Sequence, residues 1–382
     1  MKIIRMTTVG LSLDTFCRGL LAELRDSCGH EVIALSSPDG HLTSLGEREG
    51  VRTIGVAMRR DISPWADLRS LCRLVRVLRR ERPDMLHTMT PKAGLLGMIA
   101  ARIAGVPLRV HTFTGLLFPT ARGLRRLLLA TTDRITCACA SHIIAEGQGV
   151  RSDLLAHRIT RRPVTVLGHG NVRGVDLTHY SPSPRLESEA AALRRRLGIA
   201  PDDKVMIYVG RFVTDKGLRE LLDALPAIRS SVGRRVHLIM AGDTDGVRDN
   251  LTSEQLASQP DVHLSGGWVD DVRPWLLAAD ILVFPSYREG FPNVVLEAGA
   301  MGLPAVVTDI NGSREIITDG VNGLIVPPAM VAPLAEAVAR LLTLPPPALD
   351  EMARAARLNI QHHYSRPYIW QCLKEYYSSL RE

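Results

Sequence analysis

The chain has 382 residues, 46% hydrophobic and 23% charged, with a net charge of +7. That length exceeds one ordinary core and implies two domains, and no uncharged apolar run approaches the ~20 residues of a membrane-spanning helix. Aromatic residues make up only 4%, too few for the base-stacking platforms of a single-strand nucleic-acid binder.

The charge is unevenly spread. Residues up to Ala200 carry 30 Lys+Arg against 17 Asp+Glu, whereas the remainder carries 17 against 23. An excess of this kind in one half calls for an anionic partner. Its densest parts are the helical stretch holding Arg69, Arg73, Arg76, Arg79, Arg80 and Arg82, and the segment opened by Arg122, Arg125 and Arg126. With nucleic acid set aside, an anionic membrane surface is the expected partner, bound peripherally. The six cysteines form no C-x-x-C pair, and Cys137-Ala-Cys139 reads as buried thiols, consistent with a reducing cytoplasm. Met1-Lys-Ile-Ile-Arg-Met reads as a first strand and not as a signal peptide.

In chain order, the first half reads as strand Lys2 to Thr8, helix Thr15 to Cys28 ending at Gly29, and strand Glu31 to Ser36. An Arg-rich helix capped by Ser63 follows, with Pro64 next. Strand Met85 to His87, helix Lys92 to Ala104, and strands Arg109 to Thr112, Ile143 to Ala145 and Thr165 to Leu167 complete this half. The second half repeats the alternation with strands Lys204 to Val209, Val236 to Ala241, Val262 to Leu264, Ile281 to Phe284, Ala305 to Thr308 and Leu324 to Val326. Its helices are Gly217 to Ser230, Pro274 to Ala278 and Asn293 to Met301. Strands alternating with helices in both halves indicate two doubly wound α/β domains. The expected division is residues 1–175, 176–360 and a terminal helix, 361–382, with Ser181 to Ser188 as linker. The aromatic-rich terminal segment from Asp350 to Glu382 packs on the second domain or returns to the first.

The most informative stretch is Arg288-Glu-Gly-Phe-Pro-Asn-Val-Val-Leu-Glu-Ala-Gly-Ala-Met301. It follows a buried strand, at the sheet edge where open α/β folds bind ligands. Pro292 suits the first helical position, which leaves Glu289 in the loop and Glu297 more than one turn inside the helix. Main-chain amides around Gly290, Phe291, Asn293 and Val294 then offer an anion site at the helix start. A second element, Gly210-Arg-Phe-Val-Thr-Asp-Lys-Gly217, follows another strand. There Arg211 suits a bidentate phosphate grip and Lys216 supplies a point charge. Together the two elements read as a diphosphate clamp flanked by hydroxyl-binding carboxylates, the needs of a nucleotide sugar.

Gly-Arg-x-x-x-x-Lys-Gly followed by Glu-Gly-Phe-Pro-Asn-Val-Val-Leu-Glu-Ala resembles the retaining family-4 glycosyltransferases of the GT-B fold. The resemblance implies two Rossmann-like domains facing across a cleft, with the terminal helix crossing back to the first. It implies that Arg211 and Lys216 bind the donor diphosphate, that Glu289 serves the transferred sugar, and that Glu297 holds the ribose. His87-Thr-Met-Thr-Pro-Lys-Ala-Gly and Arg109-Val-His-Thr-Phe-Thr-Gly are similar to bacterial enzymes acting on polyprenyl-diphosphate-linked glycans. These relatives often carry a second His where this chain has Met89. By that likeness His111 is the active-site histidine, while Gly10, His87 and Lys92 stand on the acceptor side. The donor is expected to be UDP-linked, with no further cofactor.

Asp243-Thr-Asp245 matches a metal-binding D-x-D pattern, but as loop carboxylates without further ligands they are not expected to hold a metal. Two other readings stay open: a nucleotide-sugar 2-epimerase or hydrolase of similar build, and a non-catalytic membrane-associated subunit.

Overall fold

Runs such as Val205–Tyr208 and Ile281–Phe284 are apolar at every position, so they need cover on both faces, as only parallel sheets layered by helices provide. The computed structural model describes residues 1–244, 252–256 and 259–380. Its strands are β1 (Lys2–Val9), β2 (Glu31–Ser37), β3 (Arg52–Gly55), β4 (Met85–Met89), β5 (Leu108–Phe113), β6 (His142–Ala145) and β7 (Val164–Val166). They continue as β8 (Lys204–Val209), β9 (Val236–Ala241), β10 (Val262–Leu264), β11 (Ile281–Phe284), β12 (Ala305–Thr308) and β13 (Gly323–Val326).

The first seven strands form one sheet in the order β3-β2-β1-β4-β5-β6-β7, and the other six form a second in the order β10-β9-β8-β11-β12-β13. In each sheet the strand order reverses at one place, between β1 and β4 and between β8 and β11. Those are the positions where a crevice opens beyond the strand ends.

Two compact units result, Met1–Gly174 with Pro367–Glu382, and Val175–Arg366. In the first unit a core containing Ile4, Leu86 and Leu96 lies apart from one containing Ile3, Leu20 and Val110. Leu373 and Tyr377 of the terminal segment belong to the latter.

Four local expectations are corrected. The helix expected from Thr15 to Cys28 is two, Gly10–Cys17 and Leu20–Asp26. Gly19 lies between them at φ +80° and donates its N–H to the Glu49 carboxylate (2.8 Å), which caps the second helix. The expected linker Ser181 to Ser188 contains a helix start. Ser183 accepts from the Leu186 N–H, and Pro184 opens the helix Pro184–Arg196.

The terminal helix is likewise two, Pro346–His363 and Arg366–Ser379. At the break the main chain pairs with Val175, whose N–H donates to the Tyr364 carbonyl (2.8 Å) while Arg366 N–H donates to the Val175 carbonyl (2.9 Å). Finally, Pro292 is the N-cap and not the first residue of helix Asn293–Ala300; its ψ of 103° is extended.

Candidate functional site

In the second unit the loops leaving β8 and β11, which flank the strand-order reversal, are fastened to each other. Lys216 Nζ pairs with Glu289 Oε1, and these side chains are 12% and 18% exposed. Ser286 Oγ also donates to Glu289 Oε1 (3.0 Å). Arg288 pairs with Asp215 (3.0 Å), Tyr287 OH donates to Glu220 Oε1 (2.5 Å), and Tyr287 N–H donates to the Asp215 carbonyl (2.9 Å). Burial, then the neighbouring Glu220 carboxylate, pushes the Tyr287 phenol upward, so this hydroxyl stays protonated and donates.

Glycine is required at the turn. Gly217 sits at φ +69°, and a Cβ there would collide with the Pro285 carbonyl. Lys216 is thereby aimed across the loop, with Nζ 5.7 Å from the centroid of the Phe284 ring. Arg211 is exposed at the end of β8, and Glu297 lies half-buried on helix Asn293–Ala300. Phe291 is buried against Tyr364 (ring centroids 5.6 Å apart), which fixes the turn before that helix, whereas Gly290, Asn293 and Val294 are half-buried. All the expected donor-side residues thus belong to this unit. Sequence reasoning missed the fasteners Asp215, Glu220, Ser286, Tyr287 and Arg288. Four of them lie inside or beside the two motifs, but their pairing depends on the adjacency of β8 and β11.

In the first unit the expected residues separate. His111, on β5, is 2% exposed, its Nδ1 lies 2.8 Å from Thr88 Oγ1, and its ring packs against Gly94. Burial lowers its pKa to about 3, so the ring is neutral at physiological pH. It nonetheless lines a small recess with Thr90, Thr112, Thr114, Thr132 and Asp133.

Adjoining that recess is a cleft of about 580 Å³ at the β1/β4 reversal, within the usual range of ligand sites. Val9, Leu95, Leu117 and Leu129 supply apolar wall, with Arg60, Lys92 and Arg125 as cations. Lys92 is held in place by Asp67 (2.8 and 3.0 Å).

His87 and Gly10, expected on the acceptor side, are both buried. His87 is 1% exposed and both ring nitrogens are engaged, Nδ1 with Arg5 (2.7 Å) and Tyr377 (2.5 Å) and Nε2 with Thr112 (2.7 Å). It belongs to a buried network that seats the terminal helix. Gly10 is buried as the first residue of its helix, and a side chain there would strike the Asp39 carboxylate that accepts its N–H (2.9 Å). Met89 is buried too, with its sulfur 3.2 Å from Arg5 Nη2.

Asp243 Oδ1 accepts from the Thr244 N–H (2.7 Å), and Asp245 lies outside the described residues. Among the described residues, no three His, Cys, Asp or Glu side chains are grouped to hold a metal ion. None of the helices is long and apolar enough to cross a membrane, again among the described residues.

Two parallel sheets, one with a paired carboxylate and cation at its strand-order reversal, make a two-unit α/β architecture, and comparison with known proteins places the chain. Residues 203–344 match the family model "Glycosyl transferases group 1" and residues 13–170 match "Glycosyl transferase 4-like domain". The capsular polysaccharide biosynthesis glycosyltransferase CapM of Staphylococcus aureus is 30% identical over 387 residues, covering 99% of this chain and 97% of that protein. The chain belongs to the family-4 glycosyltransferases of the GT-B fold.

The UDP-Gal:α-D-GlcNAc-diphosphoundecaprenol α-1,3-galactosyltransferase of Escherichia coli is 29% identical, covering 70% of this chain and 68% of the relative. Among solved structures, Anabaena HepE in complex with UDP-glucose superposes with a TM-score of 0.80 at 23% identity, covering 99% of this chain and 100% of HepE.

Proposed function

We propose that this protein transfers a sugar, an N-acetylhexosamine or a related one, from a UDP-sugar to a polyprenyl-diphosphate-linked acceptor in surface polysaccharide or glycan assembly. Transfer retains the anomeric configuration and uses no metal. The observation that carries this reading is the Lys216–Glu289 pair, held where the loops of β8 and β11 meet. Such a pair suits a ligand that brings a phosphate and a sugar hydroxyl together. In this reading Arg211 and Lys216 grip the diphosphate and neutralise it as it leaves, aided by main-chain groups around Gly290, Phe291, Asn293 and Val294. Glu297 holds the ribose, Glu289 orients the sugar as positive charge develops at its anomeric carbon, and His111 is the first unit's catalytic contribution. Catalysis then rests on positioning and on fixed charges aimed at the departing group.

The acceptor chemistry is supported by the E. coli relative, named for a diphosphoundecaprenol-linked acceptor, and the donor by HepE, whose structure holds UDP-glucose. Peripheral attachment to an anionic membrane at the inner face of the cell membrane is part of the proposal. Arg69, Arg73, Arg76, Arg79 and Arg80 are exposed on helix Pro64–Glu81. Next to them Trp65 is 79% exposed, and Leu124, on helix Gly123–Cys139, is 85% exposed.

The test is to incubate the protein with UDP-sugars, with and without polyprenyl-diphosphate-linked glycans, and to read donor consumption and the product's anomeric configuration by NMR. Acceptor-dependent consumption with retention, unaffected by chelator, is expected. Sugar interconversion without acceptor would make the protein an epimerase, release of free sugar a hydrolase, and no consumption a non-catalytic subunit.

A further inference from the structure

Asp133, half-buried on helix Gly123–Cys139, has no hydrogen-bond or ion-pair partner among the described residues. Its surroundings raise its carboxyl to about 7, by burial alone. A carboxyl partly withdrawn from water without a partner costs stability. The group opens onto the recess it shares with His111, Thr90, Thr112, Thr114 and Thr132. The recess measures about 20 Å³, room for one water-sized group. Thr90, Leu117, Leu129 and Thr132 line both this recess and the apolar cleft of about 580 Å³. The recess, walled by Phe113, Leu117 and Leu129 as well as by these polar groups, is therefore a pocket for a single hydroxyl, placed beside a cleft that takes a larger molecule.

We propose that Asp133 binds one hydroxyl of the acceptor's sugar and thereby sets which acceptor glycan is used. The proposal rests on the reading of the chain as a transferase with a glycan acceptor. Asp133 is a specificity-determining residue of the first unit. His111 presents a neutral ring beside it, and Thr114, which also lines the recess, offers a further hydroxyl to the bound group.

The experiment compares wild type, Asp133→Ala and Asp133→Asn in acceptor KM, UDP-sugar affinity, melting temperature, and transfer to acceptor analogues each lacking one hydroxyl. Asp133→Ala should raise acceptor KM on the order of ten- to hundredfold, leave UDP-sugar affinity within about twofold, and melt at or above the wild-type temperature, since an unpartnered carboxyl has gone. Asp133→Asn should recover part of the loss. One deoxy acceptor should be poor for wild type yet no worse than the parent for Asp133→Ala. An unchanged acceptor KM in both variants, or a lowered melting temperature with every acceptor affected alike, overturns the proposal while leaving the transferase reading intact. If wild type consumes donor but passes sugar to no lipid-linked glycan, the acceptor reading itself falls and this proposal with it.

Discussion

Lys216 and Glu289 stand 73 residues apart in the chain and are joined directly, cation to carboxylate. The two groups assigned separately to the donor's phosphate and to its sugar therefore hold each other in register. Removing either changes the environment of the other, because both are largely buried.

Lys216→Ala is expected to weaken UDP-sugar binding by about 1.5–3 kcal/mol, the value of a charge-assisted contact, and also to lower the melting temperature by leaving Glu289 with Ser286 as its remaining side-chain partner here. Adding Glu289→Gln should restore part of the stability and none of the affinity. Arg211→Ala, at an exposed position, should lose affinity with a smaller change in melting temperature. Titration calorimetry and thermal melts on the four proteins check this. Unchanged affinity in both single cation variants would remove the diphosphate clamp.

Glu289→Gln should depress turnover far more than UDP binding, since the role proposed for that carboxylate is toward the sugar. Glu297→Gln should weaken binding of UDP itself. Steady-state kinetics beside UDP titrations separate the two, and identical behaviour of the variants would defeat the division of roles.

Acid should destabilise the first unit through its histidines. Burial lowers His111 to about 3 and holds His87 well below its ordinary value, with the Arg5 cation adding to the latter. A folded-state pKa below the unfolded value means that the stabilisation is complete above about 6.5 and is lost progressively as pH falls toward 3, by up to ~1.4 kcal/mol per pH unit for each ring. Asp133 acts in the opposite sense. Its raised carboxyl favours the fold below about 4 and loses that contribution as pH rises through 7. Melting curves from pH 4 to 8 should therefore show a shallower acid limb for His111→Asn than for wild type, and a gain near neutrality for Asp133→Asn. Parallel curves for all three proteins would contradict the assigned protonation states.

Membrane attachment should depend on both charge and apolar contact. Sedimentation with liposomes is expected to rise with anionic lipid and fall with salt, at ~1 kcal/mol per basic residue near the surface. Neutralising Arg73, Arg76, Arg79 and Arg80 should weaken it, and Trp65→Ser with Leu124→Ser should weaken it at high salt, where the apolar part dominates. Equal pelleting with neutral vesicles would remove charge as the anchor, and no pelleting would remove the membrane from the account.

The sequence by itself determined the strands and the donor motifs, because both are local. Fully apolar runs such as Ile281–Phe284 leave no face for water, and Gly217 follows Lys216 because only a glycine turns there at positive φ beside Pro285. It also exposed the basic first half, which is a matter of counting. Tertiary structure decided whatever depends on neighbours distant in sequence. His87 has a motif's spelling, yet Arg5 and Tyr377 close over it from both ends of the chain. Gly19 breaks a helix that periodicity continues, because the Glu49 carboxylate, 30 residues away, caps the new start. Asp133 carried no signal in a helix of Arg, Leu and Thr. Its meaning arises only when the turn after β4, strand β5 and helix Gly123–Cys139 meet around one recess, since the desolvation of a carboxyl is a property of its surroundings and not of its sequence position.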